Sequence, residues 1–219
     1  MSVLITGASG GLGSKVVEFL SQYVESSTII ATSRNPDNAS QFKTKGMGFR
    51  VVDFDEPSRL KSTFDGVEKL MVISTMEYDT EKRAKAQKNA IDAAVAGNVK
   101  HVYFTSAAWG GYGDSDVYIQ QATLMTEKYL KKFMPLRGSV NGRRSGLTYT
   151  IIRNGAYAHE FAEFVNYKPD VKEIVTPGDG KVAWVDRGEL GEGTARIISA
   201  PSAKYAIKQC FSQGQTRFH

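Results

Sequence analysis

Cysteine is almost missing from this chain: Cys210 is the only one among 219 residues. An intrachain disulfide framework and a cysteine–histidine zinc site are therefore excluded, and a reducing compartment fits best. Histidine is scarce as well, at three residues. No apolar run approaches the roughly 20 residues that a spanning helix needs. The apolar start Val3-Leu4-Ile5 passes straight into glycines rather than into a secretory signal. Asn38-Ala39-Ser40 matches a glycosylation acceptor but lacks that secretory context. The expectation is a cytoplasmic protein with no membrane contact and no metal.

Acidic residues are outnumbered, and the net charge is +5. The excess is local. Segments 131–144 and 202–219 carry no acid and hold 8 of the 28 basic residues, so the remainder of the chain is net −3. Neither segment interleaves aromatics with basic residues in a nucleic-acid pattern, which argues against a nucleic-acid partner.

What is present is an alternation. Val3 to Ile5, Thr28 to Thr32, Phe49 to Phe54, Leu70 to Ile73, His101 to Thr105 and Leu147 to Ile152 read as strands. Leu12, Val16, Val17, Leu20, Tyr23 and Val24 share one helical face, and Pro57 to Phe64, Glu81 to Val95 and Val117 to Phe133 read as further helices. Strands separated by helices pair in parallel through right-handed crossovers. Short apolar runs without alternation suit strands covered on both faces. The expected class is α/β. Residues 134–146, "MPLRGSVNGRRSG", read as an exposed loop, and "CFSQGQTRFH" at the end shows little apolar periodicity.

Between the first strand and the first helix stands "TGASGGLGSK", residues 6–15, with Gly7, Gly10 and Gly13 three apart and Gly11 beside them. A helix N-terminus offers unpaired N–H groups and a positive dipole end, and glycine lets a phosphate come close to the backbone. In this context the motif points to a dinucleotide. No G-x-x-x-x-G-K-[ST] loop for a nucleoside triphosphate occurs. The second strand ends in Thr32-Ser33-Arg34-Asn35 and lacks the carboxylate that would hold the ribose 2′-hydroxyl of NAD. Arg34 and Ser33 instead suit a 2′-phosphate. Asp53, placed at the end of the third strand, either bonds the adenine or caps the helix at Pro57.

The segments "TGASGGLG", "SRNPDNA", "NAIDAAVAGNVKHVYFTS" and "LTYTIIRNGAYAHEF" resemble the NmrA-like branch of the atypical short-chain dehydrogenases/reductases. The likeness leans toward NADPH-dependent members that reduce quinones and triphenylmethane dyes. It runs from residue 2 to about 199. It implies a Rossmann-type doubly wound parallel sheet with helices on both faces. NADPH would lie on Thr6, Gly7, Ala8, Ser9, Gly10, Gly11, Leu12 and Gly13, on Ser33 and Arg34, and on Asp53 and Phe54. The ends of the fourth and fifth strands, Ser74-Thr75 and Thr105-Ser106, would flank the cofactor, with Asn154 near the nicotinamide. Residues 1–155 would form the cofactor domain and 156–219 a small, truncated substrate lobe. The chain departs from the pattern in ending early, which raises the expectation of exposed apolar surface and a homo-oligomer.

No Tyr-x-x-x-Lys pair occurs on the helix after the fifth strand. Thr123 stands where reductase relatives often carry a histidine, four residues before Glu127. Tyr78, Asn154, Tyr157 and His159 are the candidate catalytic residues, with none singled out. Tyr78 and Lys82 share the Tyr-x-x-x-Lys spacing by coincidence, and His159 is either a substitute donor or a solvated loop histidine. Tyr157, Phe161 and Phe164 are either an apolar wall for a planar acceptor or core. The function expected is NADPH-dependent reduction of a quinone or similar acceptor. The alternative is a non-catalytic NADP(H) sensor acting on a protein partner.

Overall fold

The computed structural model describes residues 2–109, 113, 115–133, 146–165, 167–174 and 182–212. Apart from Gly146, the expected loop 134–146 lies outside them.

The strand and helix order follows from the apolar spacing. β1 (Val3–Ile5) leads through the glycine turn into α1 (Gly11–Leu20), whose Leu12, Val16, Val17 and Leu20 form its buried face. β2 (Ile29–Ser33), the short α2 (Ala39–Lys43), β3 (Gly48–Val51), α3 (Pro57–Thr63) and β4 (Lys69–Val72) follow. α4 (Thr80–Ala96) starts where the Asp79 carboxylate accepts from the Lys82 N–H at 2.9 Å. It stops at Gly97, and Asn98 then takes a φ of +57°. β5 (His101–Ala107), α5 (Tyr118–Lys131) and β6 (Thr148–Asn154) complete the alternation.

β1 to β6 pair in parallel, in the order β3-β2-β1-β4-β5-β6. The chain winds outward from β1 in one direction, then returns to β4 on the other side of β1. The crevice beyond the carboxyl ends of β1 and β4 is thus the switch point of a doubly wound sheet, where such folds hold ligands. One sheet face packs on α3, α4 and α5 through Leu60, Ile91 and Leu130. The other packs on α1 and on α7 (Arg187–Ser199), reached through β7 (Ala156–Tyr157), α6 (Phe161–Phe164) and β8 (Trp184–Val185). β7 and β8 pair with each other.

Two expectations are corrected. The third strand ends at Val51, so Asp53 lies beyond it. After α8 (Ser202–Tyr205), β9 (Lys208–Ser212) adds a seventh parallel strand beside β6, with Thr150 opposite Lys208 and Asn154 opposite Ser212. Its sequence, KQCFS, has one short apolar pair, too little for a periodicity argument to catch. Residues 187–212 thus bring α7 onto α1 and β9 onto the main sheet.

Candidate functional site

The glycine turn has the geometry that its composition suggested. Gly7 sits at φ +59°, a left-handed position that favours glycine. Gly13 is needed for another reason: a Cβ there would lie 2.1 Å from the Gly7 carbonyl oxygen. The turn is pinned by Gly10 N–H donating to Gly7 C=O at 2.9 Å and Ala8 N–H donating to Thr32 C=O at 2.9 Å. Ala8 and Leu12 are buried, whereas Ser9, Gly10 and Gly11 are exposed. Gly10 provides no side-chain cap to α1, and the first turn holds no acid. The first N–H groups of this helix therefore meet no competing side-chain acceptor, as an anion site requires.

At the end of β2, Ser33 Oγ accepts from Asn35 N–H at 3.1 Å, from Asn38 Nδ2 at 2.8 Å and from Ser9 Oγ at 3.2 Å. Ser33 thereby ties this turn to the glycine loop. Arg34 beside it is exposed and has no hydrogen-bond or ion-pair partner among the described residues. Asp53 does not cap α3: its carboxylate accepts from Asp55 N–H at 3.0 Å, and Glu56 is the uncapped N-cap of that helix. Phe54 is buried in the core, and its carbonyl accepts from Asn89 Nδ2 at 2.9 Å.

Beyond β4 the main-chain ladder gives way to side chains. Thr6 Oγ1 accepts from Ile73 N–H at 2.8 Å, and Thr105 Oγ1 accepts from Ser74 N–H at 2.8 Å. These two threonines carry the chain into the crevice. Ser74 Oγ in turn accepts from Gln87 Nε2 at 2.7 Å and from Arg83 Nη2 at 2.8 Å. Thr75 Oγ1 and Asn154 Oδ1 are buried with no hydrogen-bond partner. Such orphans are costly unless something outside the chain satisfies them.

Ser106 points away from this crevice. Its hydroxyl donates to Glu127 Oε1 at 2.7 Å. Arg153 grips the same carboxylate, with Nε at 2.9 Å from Oε1 and Nη2 at 2.7 Å from Oε2, and Gln209 Nε2 reaches Oε2 at 3.1 Å. This buried pair ties α5 to β5, β6 and β9. Thr123 is spent locally, donating to Gln120 Oε1 at 2.9 Å.

The Asn154 amide hydrogen-bonds the Tyr157 hydroxyl, and burial raises the phenol's pKa against that hydrogen bond and the charges of Arg187 and Arg83. His159 stacks on Tyr157 at 5.6 Å between ring centroids and lies 3.6 Å from Glu160 Oε1. Tyr78 is exposed and tilts against Tyr118 at 6.0 Å. Phe161 and Phe164 are half-exposed, not core, and both meet Trp184 edge-on at about 5.5 Å, while Phe164 also meets Trp109. Sequence reasoning missed two cations here. The Arg187 guanidinium lies over Gly11, where an added methyl would sit 2.1 Å from Nη1. The Arg83 guanidinium lies against Ser74. Neither belongs to a motif, so no signal in the chain could have singled them out.

A parallel sheet with an uncapped, glycine-lined helix N-terminus at its switch point is a dinucleotide-binding fold. The family model for NAD(P)H-binding proteins matches residues 7–197, and the chain belongs to that NAD(P)H-binding, NmrA-like family. It is 39% identical over 201 residues to an NmrA-like family domain-containing oxidoreductase of Aspergillus flavus, covering 90% of this chain and 62% of that protein. It is 35% identical over 204 residues to quinone oxidoreductase 2 of Escherichia coli, covering 90% of this chain and 64% of that protein. The chain thus spans less than two thirds of the length of these relatives. The structure of Citrobacter sp. triphenylmethane reductase complexed with NADP(H) superposes with a TM-score of 0.82 at 29% identity, covering 100% of this chain and 72% of that one.

Proposed function

We propose that this chain binds NADPH and reduces a quinone or a similar planar acceptor. The observation that carries the reading is the exposed glycine turn on an uncapped helix N-terminus, with the unpartnered Arg34 beside it. The relatives' names add the reductase class: one is a quinone oxidoreductase, and one is a triphenylmethane reductase holding NADP(H). Residues 1–155 carry the cofactor on this reading. Residues 156–174 and 182–186 face the acceptor, and α7 and β9 return to the sheet.

Each residue then has one task. The Gly7-to-Gly13 turn and α1 hold the pyrophosphate, with the Arg187 cation above Gly11 as its countercharge. Arg34 takes the 2′-phosphate, and Ser33 fixes the turn that presents it. Thr75 Oγ1 and Asn154 Oδ1, both buried and unpartnered, meet the nicotinamide end. The reduced nicotinamide, when bound, supplies a hydride. Phe161 and Phe164 with Trp184 offer a flat apolar wall to the acceptor. Tyr157 is protonated at neutral pH as any phenol is, and burial raises its pKa further, so its hydroxyl can donate without titrating. A separate acid is unnecessary, because water protonates the hydroquinone monoanion that hydride transfer leaves.

The test is NADPH oxidation by the purified chain with a panel of benzo- and naphthoquinones, followed by loss of nicotinamide absorbance. Quinone-dependent turnover is expected. NADPH binding without turnover on any acceptor would overturn the reductase reading in favour of a cofactor-bound regulator.

A further inference from the structure

Arg83 is a buried cation with no ion-pair partner among the described residues. It is 6% exposed, on the first turn of α4, with its side chain folded back to the end of β4. Nε and Nη2 both donate to Ser74 Oγ, at 3.2 and 2.8 Å, and Nη1 donates to the Glu77 carbonyl at 3.2 Å. A guanidinium has five N–H groups. Three are used here, and all the acceptors are neutral. Among the described residues no carboxylate comes within ion-pair distance, and no further hydrogen bond engages the group. A cation this deep ordinarily has a carboxylate partner, because desolvation is expensive. The neighbouring Glu127–Arg153 pair shows what a structural arginine looks like in this protein: bidentate on a buried carboxylate. Arg83 is built differently. Burial lowers its pKa, and the titratable groups near enough to oppose that are Tyr118, Tyr157, Glu77 and Tyr78, all from the carboxyl side of the sheet. It therefore lies near Tyr157, Tyr78 and Tyr118 at the carboxyl side of the sheet.

We propose that the two spare N–H groups of Arg83 hold the acceptor's carbonyl oxygen, so that this oxygen is stabilised as it becomes an anion. The inference rests on the reductase reading above and deepens it. Hydride arrival breaks a C–H bond of the reduced cofactor and forms a new bond to hydrogen on the quinone. The cofactor is oxidised and the quinone reduced by the same two electrons, and one quinone oxygen is left with the negative charge. Water then delivers the proton. Before that proton arrives, the fixed cation lowers the energy of the oxyanion without having to reorganise. Specificity follows: an acceptor that turns anionic on reduction is favoured over a cationic dye, whose charge hydride cancels and whose approach Arg83 opposes.

Arg83→Gln and Arg83→Lys test this by ligand binding and by turnover. The binding probe is 2-hydroxy-1,4-naphthoquinone, an enolate at neutral pH, read by quenching of tryptophan fluorescence; Trp109 and Trp184 lie beside the acceptor wall. Arg83→Gln should weaken the enolate by about 10- to 100-fold, Arg83→Lys should weaken it less, and neither should alter NADPH affinity. In turnover, the quinone-to-dye ratio of kcat/KM should fall roughly 100-fold in Arg83→Gln, the scale of losing one oxyanion donor. Unchanged enolate affinity, or an equal loss with quinone and cationic triphenylmethane dye, would overturn the role of Arg83. A wild-type protein that turns over no acceptor would instead sink the reductase reading, and the enolate titration would still decide whether Arg83 is an anion site.

Discussion

At the scale of single residues, polar side chains fall into two groups, those the fold consumes and those it leaves over. Thr6, Thr105, Ser106 and Thr123 are consumed: each hydroxyl is bonded inside the chain. Among the described residues, Thr75 Oγ1, Asn154 Oδ1, Arg34 and the spare donors of Arg83 are left over at the carboxyl ends of the strands or just beyond, while Thr194 Oγ1 is left over within α7. His101, at the opposite end of the sheet, belongs to the first group. Its ring nitrogens lie 2.7 and 2.9 Å from the hydroxyls of Thr148 and Thr150. Burial, aided by the nearby Lys69 charge, lowers its pKa to about 4 from 6.5. The unfolded chain therefore binds a proton that the folded chain refuses between those two values. This contribution to stability is full above about pH 6.5, falls as pH drops toward 4, and is flat below that. Between pH 7 and 4 the wild type should lose on the order of 2–3 kcal/mol more than a His101→Gln variant, measured by urea unfolding at each pH. Parallel losses in both proteins would mean that His101 is not held neutral.

At the scale of elements, the α1–α7 contact matters most for the site, because it sets where Arg187 lies over the glycine turn. The two helices approach so closely that a Cβ on Gly191 would sit 2.5 Å from Lys15 Cβ and 2.8 Å from its main-chain carbon. Backbone cannot step aside as a flexible side chain can. Gly191→Ala should cost about 1–3 kcal/mol through overpacking, read as a lower midpoint in chemical denaturation. A midpoint equal to wild type would show that α7 is free to shift. Elements also mark the limit of sequence reading. Helix α1 carries a continuous apolar stripe and α4 has a clear start and stop at Asp79 and Gly97, so their positions were legible. β9 was not: a five-residue edge strand pairs through its backbone, and its place beside β6 depends on contacts more than fifty residues away.

At the scale of the whole molecule, the alternation of strands and helices specified the sheet, and the sheet specified the switch point. The geometry of the glycine turn and the exposed place of Arg34 were legible because both are local: a turn, a helix start and a strand end. Arg83 and Arg187 were not. Their meaning comes from folding, which brings the start of α4 back over β4 and the start of α7 over α1. The Glu127–Arg153 pair was hidden for the same reason, since it joins residues 26 positions apart on different layers. The three cations left at the crevice give the molecule a consistent electrostatic plan. On the proposed reading Arg34 takes the 2′-phosphate, Arg187 the pyrophosphate, and Arg83 the acceptor's oxygen. The most direct test of that plan is a titration of the purified chain with NADPH and with NADH, in the wild type and in Arg34→Ala. NADPH should bind at least about tenfold more tightly than NADH in the wild type, the worth of a charge-assisted phosphate contact, and the two should bind alike in the variant. Equal affinity for both cofactors in the wild type would contradict the account.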